Sequence, residues 1–382
     1  MGKYDYLFYE FEPQETSWGE WCHSPQAYFR GNADLPGSNL NVGFQVFKAP
    51  VYLEREPHFH REEEYLIFMG AQFPDVFSSW DAEVELFIGP SLDDMQRIVI
   101  DRPTVVRIPK GMWHCPLDFK RIDKPLFFQA ALQHGNFGST KRVMREDGSY
   151  YYEYVGDEGR PCILTAGKEC NYCGTCFAGF DDVKIEQYWT VTGDLRPEYA
   201  DLVCALPKEE TKWGDWCPTP QAYFRGETYM KGANYHVGFQ VFAKANDMED
   251  PHFHQGVDEY IFFMGADPMN IFDFECDIDM WVGEDPDDME LHHITRPTVV
   301  RIPPTMWHCP IKFRNMKKPL LFQAAILAGC WGTIGRKKGE DGEWTYPYMG
   351  DNVRFCRLRE GERCNVCGEC FPSPDEYLGD EA

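Results

Sequence analysis

The chain contains itself twice. QAYFRG at residues 26–31 returns at 221–226, VGFQVF at 42–47 returns at 237–242, and PHFH at 57–60 returns at 251–254. RPTVVRIP at 102–109 returns at 296–303, MWHCP at 112–116 at 306–310, and FQAA at 128–131 at 322–325. The offset is 194 or 195 throughout. A period that long is a domain and not a solenoid unit, because solenoid repeats run to only ~20–50 residues. The repeats predict a first domain over 1–180, a linker over 181–198 and a second domain over 199–382. Stretches such as 78–85 and 273–280 have diverged, so a residue present in both copies carries weight.

Each copy reads as β. Segments 42–47, 65–69, 84–88, 105–108 and 126–132 are short, rich in Val, Ile, Phe and Tyr, and bounded by Gly, Pro or Asp. No long stretch with a 3.6-residue period competes. Many short strands at close spacing predict an all-β sandwich or barrel in each copy. Acidic residues number 62 against 37 basic ones, a net charge of −25, which disfavours nucleic acid and anionic membranes as partners. No apolar run is long enough to span a bilayer, and acids stand where an export signal needs apolar residues. The fifteen Cys are odd in number and tightly clustered, which favours metal thiolates in a reducing cytoplasm over disulfides.

The histidines carry the strongest functional signal. Copy one has His58 and His60, then Glu64, then His114; copy two has His252 and His254, then Glu259, then His308. His-x-His on a strand puts both imidazoles on one face. A lone His-x-His is most often an ordinary polar pair. Here six of eleven His fall in two matched sets, each with its Glu. Three imidazoles and one carboxylate suit Mn, Fe, Ni, Cu or Zn with octahedral positions left open.

These residues resemble the two motifs of the cupin superfamily, and their duplication resembles a bicupin. His-x-His followed after three or four residues by Glu matches the first motif. Pro109, Gly111 and His114 match the Pro-x-Gly-x-x-His of the second; copy two keeps Pro303 and His308 but has Thr305 in place of the Gly. The glycine six residues before the first His is absent, replaced by Tyr52 and Asn246. The resemblance covers both copies to residues ~132 and ~326 and implies tandem jelly-roll barrels. It also implies a metal in each, Mn or alternatively Fe, held by three histidines and one glutamate.

The tails lie outside that pattern. Cys162, Cys170, Cys173 and Cys176 end copy one, and Cys356, Cys364, Cys367 and Cys370 end copy two at the same spacing. Four matched thiols predict a tetrahedral thiolate site, for structural Zn or alternatively a 4Fe–4S cluster. The bland reading is eight free thiols. Cys22, Cys217, Cys115 and Cys309 read as small buried residues beside tryptophans, with Cys115 and Cys309 turned away from the metal by strand alternation.

Other pocket candidates also repeat. Arg30 with Tyr28, and Arg225 with Tyr223, sit in the identical QAYFRG segments. An Arg there could hold a substrate carboxylate or enolate, or make a surface ion pair. Gln45, Gln129, Gln240 and Gln323 lie within apolar strands and need partners if buried. Arg107 and Arg301 could face either way, and Glu62 and Glu63 read as a solvated loop.

A metal with two adjacent open positions binds a bidentate oxygen ligand and can act as a Lewis acid. The expected partner is therefore a small molecule that chelates the metal through oxygen, and a homo-oligomer is compatible. The expected chemistry is Mn-dependent hydrolysis or lysis of a C–C bond in a 1,3-dicarbonyl or enol substrate, such as a ring-opening cyclohydrolase performs, in an oxygen-poor cell. The alternatives are an Fe or Cu dioxygenase and a Mn decarboxylase, as in the bicupin oxalate decarboxylases. A non-enzymatic binding cupin ranks last.

Overall fold

The computed structural model describes residues 2–156, 163–164, 197–346 and 348–350, apart from Ser17, Asp93, Thr211 and Lys212. It divides into two compact units, one built from Gln14–Ala71 and Phe77–Ala205, the other from Met1–Pro13, Gln72–Val76 and Leu206–Ala382. These are the first and second barrels. All eight tail cysteines lie outside the described residues.

Each barrel consists of two antiparallel sheets. In the first, one sheet runs Val203–Ala205, Thr104–Ile108, Glu64–Gly70, Leu126–Leu132, Asn41–Phe47 and Ala27–Phe29. The other centres on Trp113–Ile122, which pairs with His58–Phe59, Val51–Leu53 and Ala82–Gly89. Leu66, Phe68, Val106 and Ile108 from one sheet meet Val84, Leu86, Leu117 and Phe119 from the other in a single buried cluster. The second barrel repeats the plan, with Ile261, Phe263, Val300 and Ile302 packed against Ile278, Met280, Ile311 and Phe313. Alternation along each strand sends these side chains inward because successive residues face opposite sides of a sheet.

The units are not the sequence halves. The leading strand Phe8–Glu10 belongs to the second barrel and pairs with Thr298–Ile302, with Phe8 opposite Val300. Its counterpart Val203–Ala205 belongs to the first barrel and pairs with Thr104–Ile108, with Val203 opposite Val106. The anchors repeat as well: Tyr4 and Leu7 enter the core of the second barrel, Tyr199 and Leu202 that of the first. In each case the strand covers a sheet edge that would otherwise expose unpaired backbone groups.

Candidate metal centres

Strand pairing assembles the ligands. The two-residue strand His58–Phe59 lies against Trp113–Ile122 with His58 directly opposite His114. His252 faces His308 in the same way. Glu64 and Glu259 are the first residues of strands in the other sheet of each barrel, so each set spans both sheets. The turn of the second motif is tied to the first motif by backbone, since the amides of Gly111 and Thr305 donate to the carbonyls of His60 and His254, both at 2.8 Å.

The rings are oriented alike in both sets. Nδ1 faces a backbone carbonyl in all six: Glu56 at 3.4 Å, Gly138 at 2.7 Å and Met112 at 3.2 Å for His58, His60 and His114. For His252, His254 and His308 the carbonyls are Asp250 at 2.8 Å, Gly332 at 2.7 Å and Met306 at 3.2 Å. A carbonyl only accepts, so the ring proton sits on Nδ1 and the Nε2 lone pair is left for a metal. Four of those Nε2 atoms meet the two glutamates. Glu64 Oε2 lies 3.5 Å from His60 Nε2 and 3.3 Å from His114 Nε2. Glu259 Oε2 lies 3.1 Å from both His254 Nε2 and His308 Nε2.

Acceptors facing acceptors in a buried site require a cation or a proton between them. All eight residues are buried, and Glu64 Oε2 has no hydrogen-bond partner. The donor set fits a divalent metal. Without one, the groups share protons instead. Burial pushes His58 and His252 well below the usual imidazole range, with the neighbouring imidazoles adding to it. Burial also opposes charge on His60 and His254, but Glu64 and Glu259 outweigh it and the net shift is upward. The same pairing holds both carboxylates below the usual range despite burial.

Each centre opens on a cavity. The first is about 370 Å³ and includes Tyr28, Arg30, Asn41, Gly43, Gln45 and Glu64 in its wall. The second is about 600 Å³ and includes Tyr223, Arg225, His236, Gln240, Glu249 and all four ligands. Both QAYFRG segments therefore reach their cavities. Gln45 and Gln240 face the lumen, and Gln45 Nε2 donates to the Tyr28 hydroxyl at 3.4 Å. Gln129 and Gln323 have the opposite parity to lumen-facing Ala130 and Ala324 and point outward, fully buried.

The cavities differ where the repeats differ. Arg225 is held by Glu209 through Nε at 3.0 Å and Nη2, and the Tyr229 hydroxyl also donates to Glu209. Gln14 and Asp34 stand at the corresponding places of the first repeat, and the Arg30 guanidinium contacts the Tyr28 ring at 5.5 Å without a carboxylate partner among the described residues. Asn41 is replaced by His236, whose buried Nδ1 has no hydrogen-bond partner and whose imidazole burial pushes down to about 3. Glu249 is exposed as a residue, but its carboxylate reaches to 3.4 Å from His252 Nε2; burial and Glu259 raise it to about 7.

Two sequence expectations need correction. Cys309 does not turn away from the centre: its Sγ lies within 4.8 Å of ligand atoms on His252 and Glu249, and it lines the cavity. The strand is irregular there, with Cys309 at φ +71° and Cys115 at φ +74°, so alternation fails locally. Glu63 is not a solvated loop residue. It accepts from Arg107 Nε at 2.9 Å and Nη2 at 2.8 Å, mostly buried. Arg301 makes the matching pair with Asp258 at 2.7 Å, so neither arginine is open to substrate. Cys22 and Cys217 are buried as expected. Among the described residues no helix is long and apolar enough to cross a membrane.

No family model matches the chain, and no curated protein matches it in sequence. Solved structures do match in fold. Oxalate decarboxylase of Lactobacillus farciminis in its formate complex aligns at TM-score 0.53 and 13% identity, over 88% of this chain and 90% of that one. A mutant of Bacillus subtilis oxalate decarboxylase aligns at TM-score 0.51 and 12% identity, over 88% and 80%. A further structure of the Bacillus subtilis enzyme, concerned with its Mn(II) centres, aligns at 0.50 and 12%, over 88% and 80%. The chain has the bicupin fold: two jelly-roll barrels, each with a set of three histidines and one glutamate.

Proposed function

We propose that the chain is a manganese-dependent bicupin enzyme that cleaves a C–C bond of a small anionic substrate carrying adjacent oxygen donors. The observation that carries this is a set of three imidazoles with ligand atoms within 4.8 Å of one another, and a glutamate oxygen within 3.5 Å of two of them, beside a cavity in both barrels. A divalent metal held there would polarise a carbonyl or carboxylate oxygen of the substrate. The chain's own residues supply the rest. Arg30, with no carboxylate partner among the described residues, offers charge-assisted hydrogen bonds to an anion in the first cavity. The Tyr28 hydroxyl, which accepts from Gln45 Nε2, offers a donor beside it, and Gln45 Oε1 an acceptor. Val42, Ala130, Leu132 and Phe137 form an apolar wall that limits water.

The class of substrate that meets these demands is a 1,3-dicarbonyl or its enolate, or a small oxo- or dicarboxylate. Hydrolytic C–C cleavage of the first and decarboxylation of the second need the same metal and the same cation. The fold likeness to oxalate decarboxylases, together with the uncompensated Arg30, favours decarboxylation as the second reading. The test is an anaerobic assay of Mn-loaded protein with acetylacetone, a cyclic 1,3-diketone, a β-keto acid and oxalate. Carboxylate product without CO2 supports hydrolysis, and CO2 release supports the lyase. Turnover that requires oxygen would move the protein to the dioxygenases, and no turnover with any of them would remove this substrate class.

A further inference from the structure

Away from both cavities, Asp5, Glu290 and His292 come together on the second barrel. Asp5 opens the short turn Asp5–Leu7 that precedes the leading strand. Glu290 and His292 are two apart on strand Glu290–Ile294 and so share a face. The His292 imidazole stacks on Phe8 with centroids 4.1 Å apart, and its side chain is only 9% exposed. Its Nε2 lies 3.2 Å from Glu290 Oε1 yet makes no hydrogen bond, and its Nδ1 lies 3.6 Å from Asp5 Oδ1. The other oxygen of each carboxylate is already occupied. The Gly2 amide donates to Asp5 Oδ2 at 2.6 Å, and the Lys3 amide donates to Glu290 Oε2 at 2.9 Å. Both carboxylates are thereby turned so that one free oxygen faces the imidazole, which is how outer hydrogen bonds orient metal ligands.

The duplication supplies a control within the same chain. At the three corresponding positions the first repeat has Ala200, Gln96 and Ile98, and Ile98 is part of its hydrophobic core. The fold therefore works with an aliphatic side chain where the second repeat buries an imidazole. Burying a ring nitrogen without a partner costs stability. That this position, its strand neighbour Glu290 and the sequence-distant Asp5 all become ligand types in one repeat points to a cation that offsets the cost.

We propose that Asp5, Glu290 and His292 form a third divalent-metal site, taking Zn2+ or an ion of similar character through one imidazole nitrogen and one oxygen of each carboxylate. One nitrogen and two carboxylates match the preferences of such ions, and water completes the shell. The ion clamps the segment that carries Asp5 and Phe8 to strand Glu290–Ile294, making a structural link between residues far apart in sequence.

The test uses full-length protein stripped by chelator and titrated with Zn2+ by equilibrium dialysis, comparing wild type with His292→Ile and Asp5→Ala. Zinc taken up elsewhere cancels in the comparison. The expected result is one fewer equivalent bound by each variant, a smaller zinc-dependent rise in melting temperature, and an unchanged Mn(II) signal after Mn loading. If His292→Ile does not fold, Glu290→Gln answers the same question. Equal zinc stoichiometry in wild type and the variants that fold would overturn the proposal.

Discussion

Thr305 occupies the place of Gly111 with the same left-handed backbone, φ +67° against φ +79°, and its amide donates to the carbonyl of His254 as that of Gly111 does to His60. A β-branched residue pays for that conformation, since the left-handed region costs an L-residue ~1–2 kcal/mol. A Cβ at Gly111 would meet nothing within 4 Å, so the cost there is backbone alone. Thr305→Gly is expected to stabilise the second barrel by about 1 kcal/mol, and Gly111→Thr to destabilise the first by a similar amount. Denaturant midpoints of the two variants against wild type check both signs.

Asp258 and Arg301 form an ion pair in which the carboxylate side chain is only 2% exposed. Removing one partner strands the other. Asp258→Ala should cost about 3 kcal/mol, whereas adding Arg301→Met should recover much of it, because the lone buried charge is then gone. A double-mutant cycle by chemical denaturation reads the coupling.

That pair also marks what the sequence could and could not reveal. The barrels and the pairing of a His-x-His with a Glu and a later His were legible from local spacing, which depends on a few consecutive residues, whereas the sequence did not separate lumen-facing Gln45 and Gln240 from Gln129 and Gln323. The Glu62–Glu63 stretch looked solvated because polarity says nothing about a cross-strand partner; Arg107 lies opposite Tyr65 only once the register is set. The exchange of leading strands was hidden for the same reason, since pairing Phe8 with Val300 depends on contacts across nearly the whole sequence. Cys309 was misplaced because its irregular strand breaks the alternation used to orient it.

Arg30 and Arg225 share a motif but not a charge environment. Arg30→Gln should weaken binding of oxalate to the first centre about 10- to 100-fold, the loss of one charge-assisted contact of ~1.5–3 kcal/mol. Arg225→Gln should change anion binding little, because Glu209 already neutralises Arg225. Titration of Mn-loaded protein with oxalate, followed by the Mn(II) EPR signal, separates the two. Equal losses in both variants would show that the Glu209 pairing does not govern access.

Each metal centre should be lost on its own. His60→Ala and His254→Ala are each expected to lower bound Mn by one equivalent, and the double variant by two, while the barrels remain folded by circular dichroism. Removing one of four ligands leaves a buried carboxylate facing two imidazoles, so residual affinity should fall at least ~100-fold. Elemental analysis after gel filtration measures it.

His236 should make the second barrel acid-labile. Its folded-state value of about 3 lies below the ordinary imidazole value of 6.5, so the unfolded chain takes up a proton first as the pH falls. Stability from this group is therefore intact above pH ~6.5 and declines by about 1.4 kcal/mol per unit as the pH drops toward 3. Asn41 occupies the place in the first repeat and carries no such penalty. His236→Asn should leave stability at a pH of about 7.5 nearly unchanged and flatten its fall between about pH 6 and 4. Urea midpoints at several pH values for wild type and variant give the two slopes. Parallel slopes would mean that the buried imidazole finds a proton-accepting partner as the pH falls.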